Sequence, residues 1–332
     1  MKSYIFGVVV LLGSIWLVLL YSSGAPLESF HGPGGPITSE EQEAADRIEA
    51  TVQTLSQDIG PRGAHAPGSQ DDIDRYLQRE FTRIGVNAVE FPLEASGNLG
   101  KAFEVVVPGR GLGRETILLT AHLDSAAGSP GADDNASGVA VLLEMLRTLS
   151  VGCDRTLRVV FWSGGAAPLG GTEGSTAAAY ANRLHSRHEK VAVAFCFDSL
   201  GVFCDAEGTQ SIPFPFEFSF PARGDFVAFV GDWGTRGAMD HAVEQFRAAC
   251  KFPSEAISLP SSFGFISEFD DGALRDSGYP ALRVTDTGTL RNPVVGTHAD
   301  LPTILDYPRM ARLSQGLAAM VLGLGKRTIT LM

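Results

Sequence analysis

Apolar residues recur along this chain in two rhythms. After Ser39 and Gln42, which have the form of a capping box, Ala45, Ile48, Val52 and Leu55 repeat at helical spacing and predict a first helix. A second helical pattern runs from about Gln70 to Ile84 and stops at Gly85. Beyond it, short unbroken apolar runs predict strands at Phe103–Val107, Ile117–Thr120, Val159–Trp162, Val191–Phe197, Phe226–Val230 and Ala281–Val284. Helical patterns lie between and after them, at Ser137–Leu149, Ser175–Leu184, Arg236–Cys250 and Tyr307–Leu324. This alternation predicts an α/β fold in which a mostly parallel central sheet is sandwiched by helices. No internal repeat is visible.

The N-terminus follows neither rhythm. After Met1 and Lys2 comes an uncharged stretch from Ser3 to Ala25, most apolar between Ile5 and Leu20. Its length falls between a signal-peptide core of ~7–15 residues and a spanning helix of ~20. Tyr21-Ser22-Ser23-Gly24-Ala25 offers no clear cleavage site, which favours an uncleaved signal anchor over a cleaved signal peptide. Residues 1–25 are therefore read as the anchor, 26–38 as a Gly- and Pro-rich linker and 39–332 as the folded domain. The expected address is a single-pass membrane protein with its domain outside the cytoplasm; the alternative is a secreted or periplasmic protein.

Composition narrows the partners. The 332 residues, 44% hydrophobic and 19% charged, suffice for one large domain or two small ones with a full core. A formal net charge of −12 argues against nucleic acid and anionic membrane surfaces as partners, because phosphates are bound by clustered Lys and Arg. The four cysteines, Cys153, Cys196, Cys204 and Cys250, lack zinc-finger spacing. In an oxidising compartment they would allow two disulfides, although Cys196 also reads as a small buried hydrophobe.

The candidate chemistry is concentrated in two loops. Ala121-His122-Leu123-Asp124-Ser125 follows one predicted strand, and Pro130-Gly131-Ala132-Asp133-Asp134-Asn135-Ala136-Ser137-Gly138 leads into the next helix. Asp198 ends a third element, the Val191–Phe197 strand. Ligands of open α/β sheets collect beyond the carboxyl ends of strands, so His122, Asp134 and Asp198 are expected on one rim. Imidazole nitrogen and carboxylate oxygen suit zinc, and a carboxylate can bridge two ions.

At these residues the chain resembles metallopeptidase family twenty-eight, the di-zinc aminopeptidases and their glutamate carboxypeptidase relatives. The likeness extends from about Ile48 to Gly323 and takes in Asp58-Ile59-Gly60-Pro61-Arg62, Arg223 to Gly231, Gly278 to Leu282, Val284 to Thr287, and Arg291-Asn292-Pro293. It implies that His122 and Asp198 serve one metal ion, that Asp134 bridges to a second, and that the Asp124 carboxylate orients His122. The resemblance also implies what is missing. The second ion's Glu and the adjacent Glu that acts as general base fall at Ala167 and Ala166, and its His falls at Gly296. Phe269-Asp270-Asp271 replaces a Ser-Asp-His segment of the family. His298 is a possible substitute for the lost His. Glu173, Glu268, Asp270 and Asp271 are carboxylates in plausible neighbourhoods, although solvation is the ordinary fate of a charged loop residue.

The expectation is therefore a membrane-anchored, extracytoplasmic, aminopeptidase-like protein, catalytically impaired, with one zinc ion in preference to two, or none. It would bind a peptide or protein partner in the cleft. The alternative is a working zinc exopeptidase that cleaves N-terminal peptide bonds with replacement ligands; whether the protein is an enzyme is left open. A third reading is a purely structural ectodomain without a ligand.

Overall fold

A computed structural model of the chain describes residues 25–326 apart from 33, 67, 96–97, 165–174, 215 and 268, together with scattered positions of the N-terminal run. Among the described residues no helix is long and apolar enough to cross a membrane.

An eight-stranded mixed sheet forms the middle layer. Its strands are β1 (Ala88–Ala95), β2 (Asn98–Val107), β3 (Leu112–His122), β4 (Arg155–Trp162), β5 (Lys190–Phe197), β8 (Val227–Asp232), β9 (Ser254–Leu259) and β10 (Ala281–Thr285), in the order β1-β2-β4-β3-β5-β10-β8-β9. A small ladder of β6 (Cys204–Glu207) and β7 (Arg223–Gly224) stands apart from it. β4, β3, β5 and β10 run parallel to one another, and β9 runs parallel to β8. The β1–β2, β2–β4 and β10–β8 pairings are antiparallel. The parallel centre is where the unbroken apolar runs lie, because those strands are covered on both faces.

Helices α1 (Ser39–Gln53), α2 (Ser69–Ile84), α3 (Gly138–Leu149), α5 (Arg236–Ala249) and α8 (Tyr307–Gly325) cover one face. Their buried stripes include Ile48, Leu77, Leu142, Phe246 and Leu317. α4 (Thr176–Ser186) and α7 (Asp270–Asp276) cover the other, around Trp162 and Tyr180. The short helix α6 (Gly264–Ser267) adjoins a third cluster on β8 and β9, where Phe216, Phe226, Val230 and Leu259 are buried.

Several local expectations shift. The capping box of α1 is one residue earlier than Ser39/Gln42: Thr38 Oγ1 accepts from the Glu41 N–H at 3.1 Å, and the Glu41 carboxylate accepts from the Thr38 N–H at 2.9 Å. A Glu at this place also interacts favourably with the helix N-terminus. α2 does end at Gly85, at φ +82, where the left-handed conformation needs no side chain. No pair of cysteines is bridged. Cys196 sits inside β5, Cys153 packs at Gly325, Cys250 packs at Gly316 and Cys204 begins β6, so each has its own surroundings. The residues read as a linker are seated on the domain: Arg247 donates to the Pro26 carbonyl at 3.1 Å, and Arg312 to that of Gly35 at 3.0 Å.

Candidate metal centre

β3 ends on His122, and Asp198 follows the last residue of β5. The two strands are neighbours, with Thr120 opposite Cys196, so both residues arrive at the same end of the sheet. Asp134 arrives from the irregular turn Ala132–Ser137 that feeds α3. His122 Nε2 stands 3.2 Å from Asp134 Oδ1 and 3.7 Å from Asp198 Oδ1. The three candidate ligand atoms lie within 4.8 Å of one another. Two donors placed ~2.1 Å from one ion at a tetrahedral angle are roughly 3.4 Å apart. One imidazole nitrogen and two carboxylates at this spacing fit a divalent ion with a coordination position left for a further ligand.

The electrostatics agree with a seat for positive charge. Burial opposes a charged His122, but the carboxylates of Asp124, Asp134 and Asp198 outweigh it and hold its pKa well above the usual value. Burial likewise acts to raise Asp198, and here His122 and Arg283 prevail and lower it. His122 Nδ1 lies 3.0 Å from the Asp124 main-chain carbonyl, which can only accept, so Nδ1 carries the proton and Nε2 faces the carboxylates. The Asp124 carboxylate is farther, 3.7 Å from Nδ1, and accepts from the Gly164 N–H at 2.7 Å.

Main-chain hydrogen bonds hold the ligand loops. The buried Asp300 carboxylate accepts from the N–H groups of Asp133 at 2.8 Å and Asp134 at 3.2 Å. Asn135 donates to the Phe197 carbonyl at 2.9 Å and accepts from the Ser199 N–H at 3.2 Å, joining the Asp134 turn to the end of β5. Arg62, 0% exposed, has five carbonyl acceptors: Leu123 at 2.8 Å, Leu55 at 2.8 Å, Gly60 at 3.1 Å, Pro130 at 2.6 Å and Gly131 at 2.9 Å. It thereby clamps the segments after α1, after His122 and before Asp134. Burial pulls its pKa down to about 10 against the opposing charges of Asp124, Asp134 and Asp300. Neither clamp was singled out from sequence, where Arg62 was one letter of a motif and Asp300 carried no signal.

The other half of the expected site is partly on view. Gly296 has φ +74, and a β-carbon there would meet Ala126 at 3.7 Å, so there is room but the backbone is unfavourable to a side chain. His298 is exposed and is not brought into the His122 group. Ala166, Ala167, Glu173 and Glu268 lie outside the described residues. Asp270 and Asp271 are engaged elsewhere: Asp270 accepts from the Trp162 indole at 2.8 Å, and Asp271 pairs with Arg275 at 2.5 Å. Asp270 does line a small cavity with His122, Asp198 and Arg283, and burial raises its carboxyl to about 7.

Residues 105–321 match the model of peptidase family M28. The chain belongs to that family. It is 30% identical over 291 residues to the uncharacterized protein YfbL of Escherichia coli, covering 83% of this chain and 87% of that protein. Its fold is similar to the LapA aminopeptidase of Legionella pneumophila, with a TM-score of 0.65, 17% identity, and 90% and 78% of the two chains covered. BSAP, a zinc aminopeptidase from Bacillus subtilis, matches with a TM-score of 0.62 and 14% identity over 85% of this chain and 95% of that one. The His122 rim thus lies within the stretch that carries the family signature.

Proposed function

We propose that this family member is a membrane-anchored, extracytoplasmic, aminopeptidase-like protein that holds one zinc ion and binds a peptide or protein partner in its cleft, with little or no peptidase activity. The observation that carries this reading is the ligand geometry. Among the described residues His122, Asp134 and Asp198 are the one group spaced for a metal ion. Its membership in a family with a zinc aminopeptidase as structural neighbour favours zinc over other divalent ions. The Ser3–Ala25 run supports the anchor, and its position before the domain supports a topology with the domain outside the cytoplasm.

Zinc in this site would supply a Lewis acid next to an open coordination position. The chain's own part is to aim His122 Nε2 at the ion, which would take the place of the proton held there between the carboxylates, and to set two carboxylates against the ion's charge. Hydrolysis asks for more, because a general base is typically worth ~10²–10⁴ in rate. The positions that the resemblance assigns to the base and to the second ion's ligands carry Ala166, Ala167 and Gly296, none of which can accept a proton or bind a metal. A cleft with an acidic floor and no base suits binding better than turnover, and a peptide's free amino end is the cation such a floor attracts.

Elemental analysis with an aminoacyl chromogenic assay, before and after chelation, tests the proposal. One ion or fewer without chelator-sensitive turnover is expected. Two ions per chain with chelator-sensitive turnover would replace this reading with that of a working exopeptidase.

A further inference from the structure

The segment joining β6 to β7 places phenylalanine at every second position, Phe214, Phe216, Phe218 and Phe220. Phe216 is buried on β8 and β9, and Phe220 packs beside it. Phe214 and Phe218, in contrast, are 74% and 77% exposed, and Phe263, after β9, is 45% exposed. Phe214 and Phe263 rim a cavity of about 200 Å³ with walls of Phe216, Phe226, Val230 and Leu259. Large rings clustered at the mouth of an apolar cavity mark a surface made for an apolar neighbour.

The N-terminal segment, residues 25–29, indicates which neighbour. Ala25 packs against the main core, and Arg247 holds the carbonyls of Pro26 and Leu27. The Ser29 hydroxyl accepts from the Ser254 N–H at 2.9 Å and bonds the Glu255 carboxylate. Glu255 is itself part of the wall of the cavity that Phe214 and Phe263 rim. The residues that leave the apolar run Ser3–Ala25 are therefore fastened to the same edge of the sheet as the exposed rings. A bilayer holding that run has its surface where the run ends, which is beside β9.

We infer that Phe214, Phe218 and Phe263 form a lip that enters the interfacial layer of the bilayer holding the N-terminal run. The inference rests on the anchored reading above. Its driving force is apolar, since the exposed Glu217 stands between Phe214 and Phe218 and the chain is acidic overall. A zwitterionic bilayer is therefore sufficient, and salt has little effect on the contact. With a transmembrane run at one point and a lip at another, the domain is held in a fixed orientation and its cleft is presented to ligands near the membrane surface.

Full-length chain in phosphatidylcholine nanodiscs, with plain or brominated acyl chains, separates the two ideas. Trp16 lies inside the apolar run. The chain also holds Trp162 and Trp233, so the anchor is read from the emission that Trp16→Phe removes, and the lip from the emission that Phe214→Trp adds. The expected result is loss of Trp16 emission in brominated discs and a further loss from the indole introduced by Phe214→Trp, unchanged in high salt. Phe218→Trp repeats the measurement should the first variant fold poorly. Val151→Trp, at a 63% exposed position before β4, is the control and stays bright; β4 is four strand positions from β8, roughly 19 Å across the sheet. Quenched Trp16 with unquenched indoles at both lip positions would overturn the inference and leave the anchor standing. Unquenched Trp16 would remove the anchor, and with it this inference.

Discussion

Replacing Arg62 by Met removes the clamp on the loops that carry His122 and Asp134 while leaving a side chain of similar reach. Five hydrogen bonds from a charged donor to main-chain carbonyls are lost. At ~1.5–3 kcal/mol for each bond involving a charge, the gross loss is ~7–15 kcal/mol. Burying the guanidinium offsets part of this: a pKa drawn down to about 10, from an ordinary value above 12, corresponds to ~3 kcal/mol. The freed carbonyls regain some water as the loops relax, so a net loss of ~5 kcal/mol is expected, a large share of the ~5–15 kcal/mol that a domain possesses. At roughly 2 °C per kcal/mol for a chain of this size, the melting temperature falls by ~10 °C. Arg62→Lys keeps the charge but has three donors, so it should recover about half of the loss. Differential scanning fluorimetry of the three proteins is the assay. An Arg62→Met protein melting within ~2 °C of wild type would refute the clamp, since even the lower bound of the arithmetic exceeds that shift.

His122→Ala should strip the bound metal in elemental analysis, whereas His298→Ala should leave it; loss of metal from the second variant would refute the assignment of the missing ligand to Gly296. Glu255 is raised to about 7 by burial, so its neutral form favours the fold. Its contribution is fully present below the ordinary carboxylate range and is lost as pH rises through 7, by ~1–3 kcal/mol after allowance for partial exposure. Melting temperatures of wild type and Glu255→Gln should therefore converge at low pH, separate as pH rises from the ordinary carboxylate range to about 7, and stay apart above it with the variant higher; parallel curves would contradict this. Ala166→Glu, Ala167→Glu and Gly296→His together should raise metal occupancy toward two ions, with melting that depends on zinc. A His at φ +74 costs ~1–2 kcal/mol, so zinc-free protein should melt lower than wild type. Unchanged occupancy in a folded triple variant would show that scaffold, and not side chains alone, is missing.

The central strands were legible because burial on both faces writes a continuous apolar run, as at Val191–Phe197 and Val159–Trp162. β1 and β9 were not predicted. Both are edge strands, and edge strands mix polar and apolar residues; β1 alternates buried Phe91 and Leu93 with Glu90, Pro92 and Glu94. The His122, Asp134 and Asp198 convergence was readable because loop motifs at strand ends have sequence form. Arg62, Asn135 and Asp300 act on main-chain groups of segments distant in sequence, and nothing periodic announces such bonds. The pairing of the cysteines was illegible for the same reason: spacing along the chain says little about which of them meet, and none is bridged here.

The contacts that shape the cleft are separate from the side chains that would do its chemistry. Arg62 binds carbonyls, Asp300 binds amides, and Asn135 joins the Asp134 turn to β5 through main-chain groups. Asp133, one residue before the candidate ligand, accepts from Asn292 at 2.9 Å and from the Gly201 N–H at 3.1 Å, tying the turn to two further loops. None of these bonds uses the His122 ring or the Asp198 carboxylate. Exchanging a candidate ligand therefore leaves most of the bonds that hold its loop in place, the His122 contact with the Asp124 carbonyl being an exception. The retained half shows the converse. His122, Asp134 and Asp198 crowd two carboxylates round one imidazole in a buried site, which costs stability unless a cation or a proton lies between them. Side chains that serve no purpose at such a site can be exchanged for apolar ones of similar size with a gain in stability. On the proposed reading, a cation between His122, Asp134 and Asp198 supplies that compensation, and removing it by chelation should lower the melting temperature.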